Sequence, residues 1–307
     1  MRRTPATALL LSLLVGGCTS AAKSDTASPA GGPDSGSNDS GTPGPTSGTL
    51  RVLTYNVAGL PDGISGAEGP LLERMPAIQA LLSDYDLVGL QEDFDEAGHA
   101  ALTEGTGHAE VRWFSATLDD SRVYGSGLSQ LLPAATVDYG EEHYTLCNGI
   151  TDGASDCLAS KGFQTATLRL GGQELDVLNT HHEAGSGPED EVARLSQVDQ
   201  VLAAIERDSG GRALLMTGDF NLRYSDPEDE EPLARYDAAG LLRSCELIGC
   251  DEPDHIDQIR IRSSAGLALE VLEWERVEAF VSEGGVDLSD HPAISAVIGW
   301  EVVGAED

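Results

Sequence analysis

The sequence predicts one α/β sandwich, on three observations. Short apolar runs of strand length recur between residues 50 and 300, two longer stretches among them have helical periodicity, and the strand-like runs repeatedly end in a polar or acidic residue. Residues 50–307 are long for one core but normal for a single α/β domain, and no internal repeat or second linker divides them.

Taken in order, Leu50-Arg51-Val52-Leu53 opens a strand over 50–57 that closes on Thr54-Tyr55-Asn56-Val57. A helix is expected at 70–83, then a strand at 86–91 in Asp86-Leu87-Val88-Gly89-Leu90-Gln91-Glu92, which ends in an acid. Strands follow at 127–132, 164–170 and 174–180, the last ending in Asn179-Thr180-His181. The helix at 188–207 has a capping signal in Ser186-Gly187-Pro188-Glu189 and puts Val192, Leu195, Val198, Leu202 and Ile205 on one face. Ala213-Leu214-Leu215-Met216 reads as a buried strand over 213–218 that delivers Gly218-Asp219-Phe220-Asn221. Asp254-His255-Ile256-Asp257 opens a strand at 256–262, and strands at 268–275 and 293–299 complete the set. Residues 100–160 show no sustained periodicity.

Polar residues at the same end of successive buried strands converge on one rim of a sheet, where open α/β folds place ligands. Carboxylates crowded there need a cation or a proton to offset their repulsion. Gly218-Asp219-Phe220-Asn221, followed by Ser289-Asp290-His291-Pro292 and preceded by the Asn56, Glu92 and His181 runs, resembles the endonuclease/exonuclease/phosphatase superfamily over residues 50–300. The resemblance implies a four-layer α/β/β/α sandwich, two packed mixed sheets with helices outside. It also implies a metal-dependent phosphodiesterase. In that reading Glu92 is the main ligand of a hard divalent cation, Mg²⁺ or else Mn²⁺ or Ca²⁺, with Asn56 beside it and Asp290 completing the metal and water network. Asp219 holds or deprotonates the attacking water and Asn221 donates to the phosphoryl oxygens. His291 acts as general acid or base, oriented by Asp257, while His181 faces the phosphate from the other side. Each residue alone has a blander explanation. Asn56 or Asp257 would be a turn or capping residue, and Glu92 a solvated strand-end charge. The ordered set carries the catalytic reading. His182 is expected to point away from His181 by alternation, and His255 to be structural.

Gly59-Leu60-Pro61, Gly125-Ser126-Gly127-Leu128-Ser129, Lys161-Gly162-Phe163 and the Asn179 run resemble the neutral sphingomyelinase branch, whose substrate is a phosphodiester lipid cleaved to phosphocholine and ceramide. Lys161 is a candidate substrate contact there, although a lone Lys before a Gly turn is more often a surface residue. Charge bears on the alternatives. The formal net charge is −34, and nucleic-acid binding leans on Lys and Arg neutralising phosphates. An extracellular nuclease is therefore the second reading, and a catalytically inactive surface-binding protein on the same scaffold the third. The acidic composition is also consistent with salt adaptation alone. The acidic run at 226–231 reads as a solvated loop leading into a helix, with Ca²⁺ binding as the rival.

The first residues carry a different message. Arg2 and Arg3 precede an apolar stretch, Ala8 to Val15, too short to span a bilayer. It ends Val15-Gly16-Gly17-Cys18, which resembles a bacterial lipobox. Residues 1–17 are then expected to be a signal peptide and Cys18 the lipidated N-terminus of an exported, monomeric lipoprotein at the outer membrane or cell surface. An ordinary secretory signal is the alternative. Residues 18–49, rich in Ser, Gly and Pro, read as a disordered tether that reaches roughly 30 Å. Four cysteines remain and permit three pairings. Cys147 with Cys157 and Cys245 with Cys250 are favoured, because each pair lies in one short loop segment and an exported chain meets an oxidising compartment. Zinc is the competing reading, and the spacings lack its close Cys-x-x-Cys pairs.

Overall fold

The computed structural model describes residues 45–150, 156–252 and 254–304; the leader, the lipobox and nearly all of the tether lie outside them. In chain order the strands are β1 (Ser47–Asn56), β2 (Leu87–Gln91), β3 (Glu110–Phe114), β4 (Leu128–Leu132), β5 (Asp138–His143), β6 (Gly162–Leu170), β7 (Gln173–His181), β8 (Ala213–Asp219), β9 (Leu242–Arg243), β10 (Asp257–Arg262), β11 (Leu267–Val277) and β12 (Ala293–Val302). The helices are α1 (Leu71–Leu82), α2 (Glu96–Thr103), α3 (Pro188–Ser209), α4 (Glu230–Ala238) and α5 (Ser244–Ile248).

Two six-stranded sheets form, in the orders β11-β12-β1-β2-β4-β3 and β5-β6-β7-β8-β10-β9. The parallel pairs, β1 with β2 and β7 with β8, lie at the centre of each sheet, and the other pairings are antiparallel. A parallel pair sends both chains out at the same end, so the two centres deliver Asn56, Glu92, His181 and Asp219 together. Strand β10 runs the other way and opens beside them, with Asp257 in register with Asp219.

Alternation along the strands produces the layers. Val52, Leu87, Val177, Leu215 and Ile298 point between the sheets. Leu53, Tyr55, Val88 and Leu90 face the opposite side and pack on Met75, Ile78 and Leu82 of α1 and Leu102 of α2. Leu178, Leu214 and Met216 likewise pack on Val198, Val201 and Ile205 of α3 and Tyr236 of α4. The four-layer expectation is met.

Two expectations about α3 change. Val192 is 62% exposed, while Arg194 and Gln197 are buried. The buried face is rotated because these polar side chains hydrogen-bond inward: the Arg194 guanidinium donates to the carbonyls of Glu183 and Gly185, and the Gln197 amide to Glu183 Oε2. The cap is half a box, since glycine has no side chain to contribute. Asp190 Oδ2 accepts from the Gly187 amide at 2.9 Å. Both expected disulfides are present, Cys147–Cys157 and Cys245–Cys250. The acidic run forms a 3₁₀ turn, Pro227–Asp229, leading into α4.

Arg260 on β10 has no exposed surface. Its guanidinium lies 5.4 Å from the Phe220 ring and 5.1 Å from the Tyr236 ring. It donates to Asp237 Oδ1, the Leu241 carbonyl and the Tyr224 hydroxyl. Arg260→Ala is expected to cost about 3 kcal/mol or more, because it opens a cavity and orphans these acceptors. A denaturant melt against Arg260→Met, which keeps the volume, measures it.

Candidate active site

The non-glycine residues with positive φ among the described residues are Ala58 (48°), Glu92 (58°) and Asn221 (49°). All three follow the carboxyl ends of the central parallel strands, where strained backbone re-aims side chains at a functional site. Glu92 and Asn221 line a cavity of about 480 Å³, which Asp156, Lys161, His181, Asp219 and His291 also line, together with Leu60, Ile64, Phe94, Val123, Tyr124 and Leu158.

Asp219 is at the centre. Its Oδ2 accepts from Asn56 Nδ2 at 3.1 Å, lies 3.4 Å from His181 Nε2 and 3.8 Å from His291 Nδ1. Its Oδ1 accepts the Asn221 amide at 3.0 Å. His291 Nδ1 is 3.0 Å from Asp257 Oδ2, the orienting contact expected of that pair. Asn221 Nδ2 and Lys161 Nζ converge on one acceptor, the His182 carbonyl, at 3.1 and 2.9 Å. Lys161 also pairs with Asp156 Oδ1 at 2.7 Å. It is buried, so the surface reading of this lysine fails; the paired carboxylate holds it at the cavity wall.

Charge divides these groups by role. Burial alone would lower the His291 imidazole, but the hydrogen bond and charge of Asp257, with Asp219 and Glu92 behind, raise it to about 10. The dyad is therefore an imidazolium–carboxylate pair at neutral pH. Burial pushes His181 well below its ordinary value, reinforced by the Lys161 charge, so it is neutral. Burial pushes the Asp219 carboxyl up, but the neighbouring imidazoles, Lys161 and the Asn56 amide outweigh it and hold it below the usual range. With His181 neutral, that hold falls to His291 and Lys161.

The His291 shift has a stability consequence of definite sign. A folded-state value above the unfolded one means the folded protein retains a proton that the unfolded chain releases. The stabilisation is full below about pH 6.5 and is lost as pH rises toward 10. In chelator, the melting-temperature gap between wild type and His291→Ala is expected to be largest near pH 6 and to close toward pH 10.

The residues fit a hard divalent cation. Glu92 and Asp219 share one amide, Asn56 Nδ2, at 3.0 and 3.1 Å, so their carboxylates adjoin. The protein around Glu92 pushes its carboxyl up, partly offset by that Asn56 hydrogen bond and by Lys161. Two adjoining carboxylates with few cations form an oxygen donor set suited to Mg²⁺. Asp219, Asp257 and His291 also offer ligand atoms within 4.8 Å of one another. There His291 Nδ1 is already committed to Asp257, so the Glu92 side is the better cation position. Asn56 turns its NH₂ toward the carboxylates and its oxygen toward the Ala58 amide at 3.0 Å, acting as a donor that spaces them rather than as an oxygen ligand. Asp290 is not brought to this cluster. It is exposed and lines a neighbouring groove with Arg276 and Asp287, because the Ser289 hydroxyl, 3.2 Å from the His291 amide, turns His291 inward instead.

Three supporting residues went unassigned in the sequence reading. Arg74 on α1 is buried and donates to the carbonyls of Val57, Ala58 and Leu288, tying the loop after β1 to the His291 segment. The Ser289 hydroxyl donates to the Asn56 carbonyl at 2.6 Å. Asn179 bridges the sheets beneath the site, donating to the Leu90 and Ser129 carbonyls and accepting from Gln91 at 2.8 Å. An arginine on an otherwise apolar helix face was the available signal for Arg74. His182 packs between Tyr144, Phe220 and Tyr236 away from the cavity, and His255 stacks on Trp274. Both match their expected structural roles.

The sequence profile of the Endonuclease/Exonuclease/phosphatase family matches residues 53–291. A sphingomyelinase of Mycobacterium bovis is 30% identical over 284 residues, which cover 84% of this chain and 54% of that protein. The chain thus spans about half the length of the curated relatives it matches. The structure of sphingomyelinase C from Streptomyces griseocarneus aligns with TM-score 0.60 at 20% identity, covering 82% of this chain and 99% of that one. D. rerio TDP2 complexed with a single-strand DNA product aligns with TM-score 0.62 at 19% identity, covering 81% and 98%.

Proposed function

The chain belongs to the endonuclease/exonuclease/phosphatase family, and from that premise we propose that it hydrolyses a lipid phosphodiester of the sphingomyelin type in a cation-dependent reaction. The supporting observation is the mixed lining of the cavity, which combines charged and hydrogen-bonding groups with Leu60, Ile64, Phe94, Val123, Tyr124 and Leu158. A phosphodiester with an apolar substituent matches both kinds of group. The mycobacterial relative, a sphingomyelinase, supports the same substrate class.

A divalent cation at Glu92 and Asp219 would neutralise charge on the non-bridging oxygens. Asn221 and Lys161 bind those oxygens, their geometry set by the shared His182 carbonyl. Asp219, held ionised, orients a water in line with phosphorus and accepts its proton. His291, protonated at neutral pH, gives its proton to the departing alkoxide, and Asp257 keeps the ring in place. The P–O bond to the alkoxide breaks as the bond from water forms. For the remainder of the chain we propose export, cleavage before Cys18 and lipid anchoring in the cell envelope. Metabolic labelling with a palmitate probe, lost in Cys18→Ser, tests that part.

The test of substrate class uses the full chain with Mg²⁺ on sphingomyelin, phosphatidylcholine and plasmid DNA in parallel, with chelator and His291→Ala controls. Phosphocholine release that both controls abolish is the expected result. DNA nicking without lipid turnover would replace this reading with the nuclease one. The formal net charge of −34 weighs against nicking.

A further inference from the structure

Glu92 has a backbone conformation, φ 58°, that residues with side chains rarely adopt. Neighbouring groups must hold it there. On one side its carbonyl accepts the Gly59 amide at 2.9 Å. The contact is so close that a Cβ on Gly59 would lie 2.2 Å from that oxygen. On the other side stands Asp93, only 2% exposed. Its amide donates to the Gly127 carbonyl at 2.9 Å, and its carbonyl accepts the Trp113 indole N–H at 2.8 Å. Its Oδ2 accepts the Ser129 hydroxyl at 2.6 Å and lies 2.6 Å from His99 Nδ1. His99, on α2, is stacked on Trp113 with ring centroids 4.2 Å apart and planes 7° apart. None of Asp93, His99, Trp113 or Ser129 lines the cavity.

We propose that Asp93, His99, Ser129 and Trp113 are positioning residues that fix the Glu92 backbone and so present its carboxylate to the cation. This rests on Glu92 being a cation ligand. Four contacts from β3, β4, α2 and the loop before β4 converge on the residue next to Glu92. Rotating Glu92 out of its left-handed conformation would therefore break the network. Freed from it, Glu92 would sample other directions, and the cation would have to select the competent one. A purely structural role for the network would lower stability and leave cation affinity alone.

Calorimetric titration of Mn²⁺ into the full chain separates the two. His99→Ala is expected to weaken cation affinity roughly 10- to 100-fold, while kcat at saturating cation stays within a few-fold of wild type. His99→Asn, whose amide N–H can stand where Nδ1 stood, is expected to restore most of the affinity. Ser129→Ala removes one donor without opening a large space and reads the same quantity should His99→Ala not fold. A lower melting temperature with unchanged Mn²⁺ affinity in both His99→Ala and Ser129→Ala would overturn the proposal. If wild type and Glu92→Gln bound Mn²⁺ equally well, the ligand role of Glu92 would fail first, and the positioning role with it.

Discussion

The His291→Ala variant is expected to lose about 10³-fold in kcat with little change in KM. The alkoxide leaving group is a strong base and cannot depart at neutral pH without a proton. His291 is the group placed to supply it, raised to about 10 by Asp257 and the carboxylates behind it. Asp257→Asn should act differently. It keeps a hydrogen-bonding group 3.0 Å from His291 Nδ1 but removes the charge that raises the imidazole. The alkaline limb of the kcat profile should then move to lower pH, because the acid form is lost earlier. A profile that keeps its wild-type alkaline limb in Asp257→Asn would take the proton-donor role away from His291.

Glu92→Gln is expected to lower activity by about 10³-fold, equivalent to about 4 kcal/mol of lost charge stabilisation. Stability should move the opposite way. In chelator, the neutral side chain no longer crowds Asp219, so the variant should melt at or above the wild-type temperature. Mg²⁺ should raise the wild-type melting temperature and leave that of Glu92→Gln nearly unchanged, since only a bound cation adds to folded-state stability. A variant that is both slower and markedly less stable without cation would mean that Glu92 is chiefly a structural partner of Asn56.

The sequence was most legible where burial is two-sided. Strands β1, β2, β7 and β8 are apolar runs ending in Asn56, Glu92, His181 and Asp219, so strand and site signal coincide. β3, β5 and β9 were missed because they lie toward sheet margins. β5, with the sequence Asp138-Tyr139-Gly140-Glu141-Glu142-His143, has no apolar face to display. The short helices α2 and α5 offer too few turns for a period to show. The proposed catalytic set His181, Asp219, Asn221, Asp257 and His291 was visible as motifs, and the folded chain brings all five together. What sequence could not supply is direction. Asp290 and His291 are adjacent, yet the hydrogen bond that the His291 amide donates to the Ser289 hydroxyl decides which faces inward. Asn56 sits where expected, but its neighbours turn its amide rather than its oxygen toward the carboxylates. Lys161 resembled a surface lysine because Asp156 and the His182 carbonyl, which bury it, meet it only in the folded chain.

In the proposed reaction a cation-assisted water attacks phosphorus. The most direct measurement is turnover of sphingomyelin vesicles in ¹⁸O-water with Mg²⁺, followed by mass spectrometry of both products. One ¹⁸O in phosphocholine and none in ceramide is the predicted result, abolished by chelator. Label in ceramide, with unlabelled phosphocholine, would place the attack at carbon and contradict the roles given to Asp219 and His291.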